Sequence, residues 1–354
     1  MSLSVGIVGL PNVGKSTLFQ ALTKKKVDIA NYPFCTIDPN IGIVKVPDER
    51  LEKLAELFHS AKVIPAIVEF VDIAGLVRGA NKGEGLGNQF LAHIREVDAI
   101  VQVVRCFSNS EIVHVEQGVD PLRDMETVNT ELLLKDLETV GKRLWNLERE
   151  VRVQKKEALV EQELLQGLQT ALGRGVSVLQ YLKEHPEAQE IIEQLFLLSA
   201  KPVIYLLNAN SAPEATNVAK HLKDLRAPYA IMNIKEEFDI AELAAEEMQE
   251  LRVGPPELPE LIKKSYESLN LITFFTTGPD ETRAWTIRKG MKAPQAGGVI
   301  HSDFREKFIK AVVIRWDKLF EAGGIGEAMA RGWLRTEGKE YVVQDGDVIE
   351  IKHG

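Results

Sequence analysis

The stretch Gly9-Leu10-Pro11-Asn12-Val13-Gly14-Lys15-Ser16-Thr17 decides how the rest of this chain is read. It fits the pattern G-x-x-x-x-G-K-[ST] without a gap. Val5-Gly6-Ile7-Val8 before it has the composition of a short buried strand, and Leu18, Phe19, Ala21 and Leu22 after it give one apolar helix face. A strand, a glycine-containing loop and a helix start together aim backbone N–H groups and the positive end of a helix dipole at one point. A triphosphate is the expected occupant, held along Asn12, Val13, Gly14, Lys15, Ser16 and Thr17. Lys15 would meet the β- and γ-phosphates, and Ser16 would ligate Mg²⁺.

Downstream, Asn31-Tyr32-Pro33-Phe34-Cys35-Thr36-Ile37-Asp38-Pro39-Asn40 has two prolines and no strand or helix period, so it reads as a loop. Thr36 could complete Mg²⁺ coordination there and sense the γ-phosphate, or be an ordinary loop threonine. The next motif favours the first reading. Val68-Glu69-Phe70-Val71-Asp72-Ile73-Ala74-Gly75 is an apolar strand ending in D-x-x-G. Asp72 can hold Mg²⁺ through water, and the Gly75 N–H can bond the γ-phosphate. Many GTPases place a glutamine next to orient the attacking water, whereas this chain has Leu76, which cannot. Hydrolysis should therefore be slow, or another group must act. Glycines 75, 79, 83, 85 and 87 crowd the segment that follows. It reads as a loop that orders only around a γ-phosphate, or as a plain surface loop. Residues 99–104 form a further buried strand. His114, flanked by Val113 and Val115, reads on its own as a structural histidine.

The length of 354 residues allows two or three domains, and 45% hydrophobic with 27% charged residues is ordinary for a soluble protein. No run is apolar enough for a membrane helix, and no secretory signal precedes the first strand, so a cytoplasmic location is expected. Cys35 and Cys106 are the only cysteines and suit reduced thiols. A net charge of −9 means that a nucleic-acid partner would have to meet a local basic face.

From about residue 124 to 200 the pattern becomes helical. Leu133, Leu137, Val140, Leu144, Leu147 and Val151 alternate spacings of four and three, and Leu164, Leu165, Leu168 and Leu172 offer a second stripe before Gly173-Arg174-Gly175. An antiparallel arm that zips onto itself is the simplest construction, serving either as a contact for a large partner or as a spacer. Pro202-Val203-Ile204-Tyr205-Leu206-Leu207-Asn208 then returns as an apolar strand. GTPases carry N-K-x-D here, with the Asp pairing to guanine. The sequence Asn208-Ala209-Asn210-Ser211 has no carboxylate in that place, which argues for ATP or loose base choice. Beyond Leu271 short strand-like pieces take over, with Tyr341-Val342-Val343 and Val348-Ile349-Glu350-Ile351 closing around the turn Asp345-Gly346-Asp347. Between Arg283 and Lys318 nine Lys or Arg face three Asp or Glu, with Trp285 and Trp316 in the same span. This fits an RNA-contacting face or an ordinary solvated surface.

The phosphate loop, Asn31–Ile37, Asp72-Ile73-Ala74-Gly75-Leu76-Val77, Gly83-Glu84-Gly85-Leu86-Gly87-Asn88-Gln89-Phe90, Arg283-Ala284-Trp285-Thr286-Ile287 and residues 339–347 together resemble the YchF / Obg-like ATPase family over essentially the whole chain. The resemblance implies a GTPase-type domain that prefers ATP, a coiled-coil domain and a C-terminal TGS domain, with ribosome association and a regulatory role in translation. It implies that His114 stands in for the missing glutamine as the catalytic residue, beside Lys15 and Gly75. It also implies K⁺ near the phosphates, held by Asn12. The family usually shows N-x-x-E at the base-reading strand, and Ser211 replaces that Glu here, although Asn208 and Ala209 remain as base contacts.

The expected fold is α/β: a P-loop GTPase-like, doubly wound, mainly parallel sheet with an inserted antiparallel helical coiled-coil arm and a small C-terminal α+β TGS (ubiquitin-like β-grasp) domain. The expected divisions are 1–123 with 201–270 for the nucleotide domain, 124–200 for the arm and 271–354 for the TGS domain. The expected activity is slow ATP hydrolysis, with GTP as a weaker substrate, in a monomeric switch. Its ribosome or rRNA contacts would run through the TGS domain and the arm. A small-molecule P-loop kinase and an RNA-binding scaffold with a structural nucleotide are the alternatives.

Overall fold

A computed structural model describes residues 3–24, 40–73, 93–109, 118–241, 243, 247 and 256–354. The first sheet runs in the order β2-β4-β1-β5-β6-β7. Its strands are β1 Ser4–Val8, β2 Ile41–Lys45, β4 Ile67–Asp72, β5 Ala99–Arg105, β6 Val203–Asn208 and β7 Tyr229–Met232. Only β2 is antiparallel to its neighbour, β4; the remaining pairs are parallel. Every residue of β5 is buried, as expected for a strand covered on both faces. Helices α1 Lys15–Thr23 and α2 Glu49–Phe58 follow β1 and β2. The doubly wound, mainly parallel sheet read from the sequence is therefore present.

The helical segment is longer and more wound than a simple pair. Helix α3 Pro121–Arg152 starts at a side-chain cap from Asp120 with proline at its first position. It turns at residues 153–155 into α4 Lys156–Gly173, and the chain returns through α5 Val178–Glu184, α6 Gln189–Glu193 and two 3₁₀ turns. Val140, Leu147, Leu165, Leu168 and Leu172 form its core, with Leu133, Leu137, Leu144, Val151 and Leu164 packed alongside. At the base of α3, Val128 and Leu132 join the core of the first sheet instead. The arm is closed by Asp136, which is buried and accepts from the N–H groups of Leu198 (2.7 Å) and Ser199 (2.8 Å). Burial, the larger effect, raises the pKa of that carboxyl, opposed by the bonds from Ser199 and Leu198.

Helices α7 Ala212–Asp224, α8 Ile234–Ile240 and α9 Leu258–Ser268 complete the cover of the first sheet and lead into the C-terminal lobe. The second sheet has the order β11-β10-β12-β8-β9-β3. It contains β8 Leu271–Thr276, β9 Glu281–Arg288, β10 Phe308–Arg315, β11 Arg335–Glu337 and β12 Asp347–His353, with α10 Ala293–Ile300, α11 Ser302–Glu306, α12 Trp316–Ala322 and α13 Ile325–Ala330 between strands. Its last member, β3 Lys62–Ile64, comes from the N-terminal part of the chain and pairs in parallel with β9. The closing hairpin expected from Tyr341–Val343 and Val348–Ile351 does not form. Tyr341 and Val343 lie outside any strand, Val342 makes a single bridge to Lys292, and β12 pairs with β10 and β8. The backbone of 341–343 is taken up elsewhere: the Ala293 N–H donates to Tyr341 O (2.8 Å) and the Val343 N–H to Met291 O (3.0 Å). The buried Asp347 carboxylate then holds the segment across the strand end by accepting from the Tyr341 hydroxyl (2.6 Å) and the Gln344 N–H (2.9 Å). The two lobes share one apolar core that runs from Val5 and Phe70 to Phe275, Ala284 and Ile314. Among the described residues no helix is long and apolar enough to cross a membrane.

Candidate nucleotide site

The loop between β1 and α1 sits at the carboxyl ends of the parallel strands, where α/β sheets bind ligands. Asn12 turns with φ 62°, an αL geometry that asparagine tolerates. Gly14 stands at the start of α1 with φ 108°. A Cβ at Gly14 would lie 2.8 Å from Asn208 Nδ2, so glycine is required by both conformation and space. The first turn of α1 has no side-chain cap and no acidic residue. Its N–H groups at Lys15, Ser16 and Thr17 are the orphan donors of a helix start, an arrangement suited to phosphate. Val13 is buried beneath the loop, Thr17 is half-buried, and Asn12 and Ser16 are exposed on it.

Lys15 is buried, and its Nζ donates to the carbonyls of Gly9 (3.1 Å) and Leu10 (2.9 Å). Burial pulls its pKa below the ordinary lysine value, and the Asp72 carboxylate partly opposes this. An anion brought into the cradle would relieve that desolvation. Asp72 ends β4, in register with Ile7 of β1, and its backbone N–H donates to Asn40 O (2.9 Å). The Ser16 hydroxyl and the Asp72 carboxylate are hard oxygen donors, the chemistry that fits Mg²⁺.

Asn208, at the end of β6, ties three segments together. Its Nδ2 donates to Val13 O (2.9 Å), its Oδ1 accepts from the Ile234 N–H (3.2 Å), and its carbonyl accepts from the Cys106 N–H (2.8 Å). The phosphate loop, the start of α8 and the exit of β5 are thus fixed relative to one another. Ala209 has its N–H bonded to Met232 O (3.1 Å), and its methyl lies in an apolar cluster with Cys106 and Val218. The structure therefore brings together Asn12, Val13, Gly14, Lys15, Ser16, Thr17, Asp72 and Asn208, with Ala209 directly behind. Thr36, Gly75 and His114 lie outside the described residues, as do Leu76 and the glycines that follow.

Sequence reasoning passed over Arg105. It is fully buried at the exit of β5, with Nε donating to Phe107 O and Nη2 to Asn109 O, both at 3.1 Å. The available signal was an arginine closing a mostly apolar strand. Cys106 beside it is buried, and desolvation pushes its thiol up to about 12, so it stays protonated and unreactive.

A phosphate loop on β1, an aspartate at the exit of the adjoining β4 and an asparagine at the end of β6 define a protein of the P-loop GTPase fold. Comparison with known proteins narrows the class. A family described as a 50S ribosome-binding GTPase matches residues 4–142, and the YchF-type GTPase C-terminal family, described as a protein of unknown function, matches residues 271–354. The relative named ribosome-binding ATPase YchF from Bacillus subtilis is 49% identical over 364 residues, which cover 99% of each chain. Obg-like ATPase 1 of Saccharomyces cerevisiae is 44% identical, over 100% of this chain and 94% of its own. The solved structure of the Schizosaccharomyces pombe YchF GTPase superposes with a TM-score of 0.85 at 40% identity, over 99% of this chain and 98% of that one. The chain belongs to the YchF / Obg-like ATPase family.

Proposed function

We propose that this protein is a slow ATP hydrolase that binds ribosomes and works as a nucleotide-dependent switch. The observation that carries the reading is the buried Lys15 in a glycine-turned cradle, beside an uncapped helix start and facing Asp72. Similarity to the relatives named ribosome-binding ATPase YchF and Obg-like ATPase 1 supports it.

In this reading the N–H groups from Val13 to Thr17 hold the β- and γ-phosphates. Lys15 gives up its two carbonyl contacts to meet them. Ser16, Asp72 and Thr36 hold Mg²⁺, which when bound neutralises charge on the phosphate oxygens. Asn12 holds K⁺ near the phosphates. The Gly75 N–H senses the γ-phosphate, and His114 orients the attacking water in place of the glutamine that Leu76 replaces. Arg105 fixes the start of the segment leading to His114 through its bonds to Phe107 and Asn109. Base choice favours ATP over GTP because Ser211 supplies no carboxylate for guanine. The second Nδ2 hydrogen of Asn208 serves the base edge. The protein acts as a cytoplasmic monomer divided at 1–123 with 201–270, 124–200 and 271–354. Its ribosome contacts run through the arm and the C-terminal TGS lobe.

Phosphate release from ATP, measured with and without ribosomes, tests the reading. Release into water that ribosomes accelerate, and that Lys15→Ala abolishes, supports it. Transfer to an added metabolite would point to a kinase. Unchanged nucleotide binding by Lys15→Ala would remove the phosphate-loop assignment.

A further inference from the structure

A second concave site lies at the other pole of the first sheet. The nucleotide cradle sits where β5 ends, next to Asn208. Asp98, which immediately precedes β5, lines a cleft of about 520 Å³ where the arm, the base of the first sheet and the C-terminal lobe meet. The seven residues of β5 separate the two sites by about 20 Å. A cleft of this size is large enough for several side chains of a ligand.

Two large apolar side chains line it while open to solvent: Leu179 on α5, 40% exposed, and Phe196 after α6, 67% exposed. Phe196 is also held at φ 48°, a left-handed conformation that a bulky L-residue rarely adopts. Such outliers gather at functional positions. The charges in the cleft are unequal. The cations are Lys183, Lys201 and Arg288, and the acids are Asp98 and Glu193. Both acids are already engaged. Asp98 accepts from the Ser4 N–H (3.0 Å) and meets Arg288 at 3.5 Å, and Glu193 accepts from Gln189 Nε2 (2.8 Å). Lys201 is bonded to the carbonyls of Arg95 and Val97. Lys183 is exposed and has no hydrogen-bond or ion-pair partner among the described residues. The Arg288 side chain, 60% exposed, lines the same cleft.

We propose that this cleft docks an acidic protein segment carrying a bulky apolar residue. The apolar side chain lies over Leu179 and Phe196, and a carboxylate meets Lys183 and Arg288. The lining favours a peptide over RNA: it is aliphatic around a single aromatic ring, whereas single-stranded nucleic acid is held by stacking platforms along a basic track.

Fluorescence anisotropy with the full-length protein tests this. The probes are a labelled acidic hexapeptide, Asp-Glu-Phe-Leu-Glu-Asp, its basic counterpart Lys-Lys-Phe-Leu-Lys-Lys, and a uridine hexanucleotide. The expected result is saturable binding of the acidic peptide alone. Lys183→Glu should weaken it about tenfold and shift preference toward the basic peptide. Phe196→Asn keeps a residue that tolerates the backbone angle while removing the ring, and should also weaken binding about tenfold. Neither variant should change ATP affinity, which reports on folding of the nucleotide lobe. Equal binding of both peptides, no binding of either, displacement by the hexanucleotide, or an acidic-peptide affinity unmoved by both variants would overturn the proposal.

Discussion

Replacing Gly14 with alanine strikes the site where three segments converge. The added Cβ would stand 2.8 Å from Asn208 Nδ2, against an ordinary contact of 3.4 Å or more, and 3.4 Å from Ile234 Cδ1. The amide must retreat by about 0.6 Å, which takes its 2.9 Å bond to Val13 O to the edge of hydrogen-bonding range. Losing that buried bond costs about 1–2 kcal/mol. Holding alanine at φ 108° costs about 1–2 kcal/mol more. Charged against the binding-ready loop, a total of about 2–4 kcal/mol lowers ATP affinity by about 30- to 1000-fold. Isothermal titration with ATP and Mg²⁺ reads the affinity, and far-ultraviolet circular dichroism checks that the sheet is intact. A folded Gly14→Ala protein that binds ATP within about threefold of wild type would refute the reasoning that this contact shapes the cradle.

His114→Ala should slow phosphate release by about 10²- to 10⁴-fold while leaving ATP binding unchanged, the range for a positioned proton-transfer or water-orienting group. Unaltered turnover removes that residue from the mechanism. Equilibrium titration should give a lower Kd for ATP than for GTP; a strong preference for GTP would overturn the reading of Asn208 to Ser211. Arg50 of α2 bonds both Asp48 (2.7 Å) and Asp345 (2.5 Å) and so ties the two lobes. Arg50→Ala should lower stability by about 2 kcal/mol in one unfolding transition, because β3 belongs to the C-terminal sheet. Two well-separated transitions in calorimetry would contradict the shared sheet. Burial first, and for Tyr341 also its bond to Asp347, raise the hydroxyls of Tyr266 and Tyr341 from 10.0 to about 12. The folded state holds these protons more tightly than the unfolded chain. Their contribution is complete below pH 10 and is lost as pH rises through about 12. Alkaline melts of Tyr266→Phe should lose part of that dependence; an unchanged profile would refute the assignment.

The parts of the fold that were legible in the sequence rest on local signals. The phosphate loop is a contiguous motif, and β1, β4, β5 and β6 are apolar runs bounded by turns or site residues. Leu137, Val140, Leu144 and Leu147 carry their helical spacing openly. What escaped depends on partners far away in the chain. Lys62–Ile64 is three residues long and becomes a strand only because Glu281–Arg283 lies beside it. Tyr341–Val343 has strand composition, yet its backbone bonds to Met291 and Ala293, some fifty residues earlier, and not to β12. Asn208 looked like a base reader, and the structure gives it a second task, bracing the loop through Val13 and Ile234. Glu237 gave no sequence signal at all. It is buried and caps the start of α9 through the N–H groups of Glu257 (2.7 Å) and Leu258 (3.1 Å).

A crystal structure with a non-hydrolysable ATP analogue and Mg²⁺ tests whether the loop after β1 holds the triphosphate. The expected result is β- and γ-phosphate oxygens within hydrogen-bond distance of the N–H groups of residues 13–17, with Lys15 Nζ swung from Gly9 O and Leu10 O onto the phosphates. An analogue bound elsewhere, with Lys15 still on those two carbonyls, would contradict it.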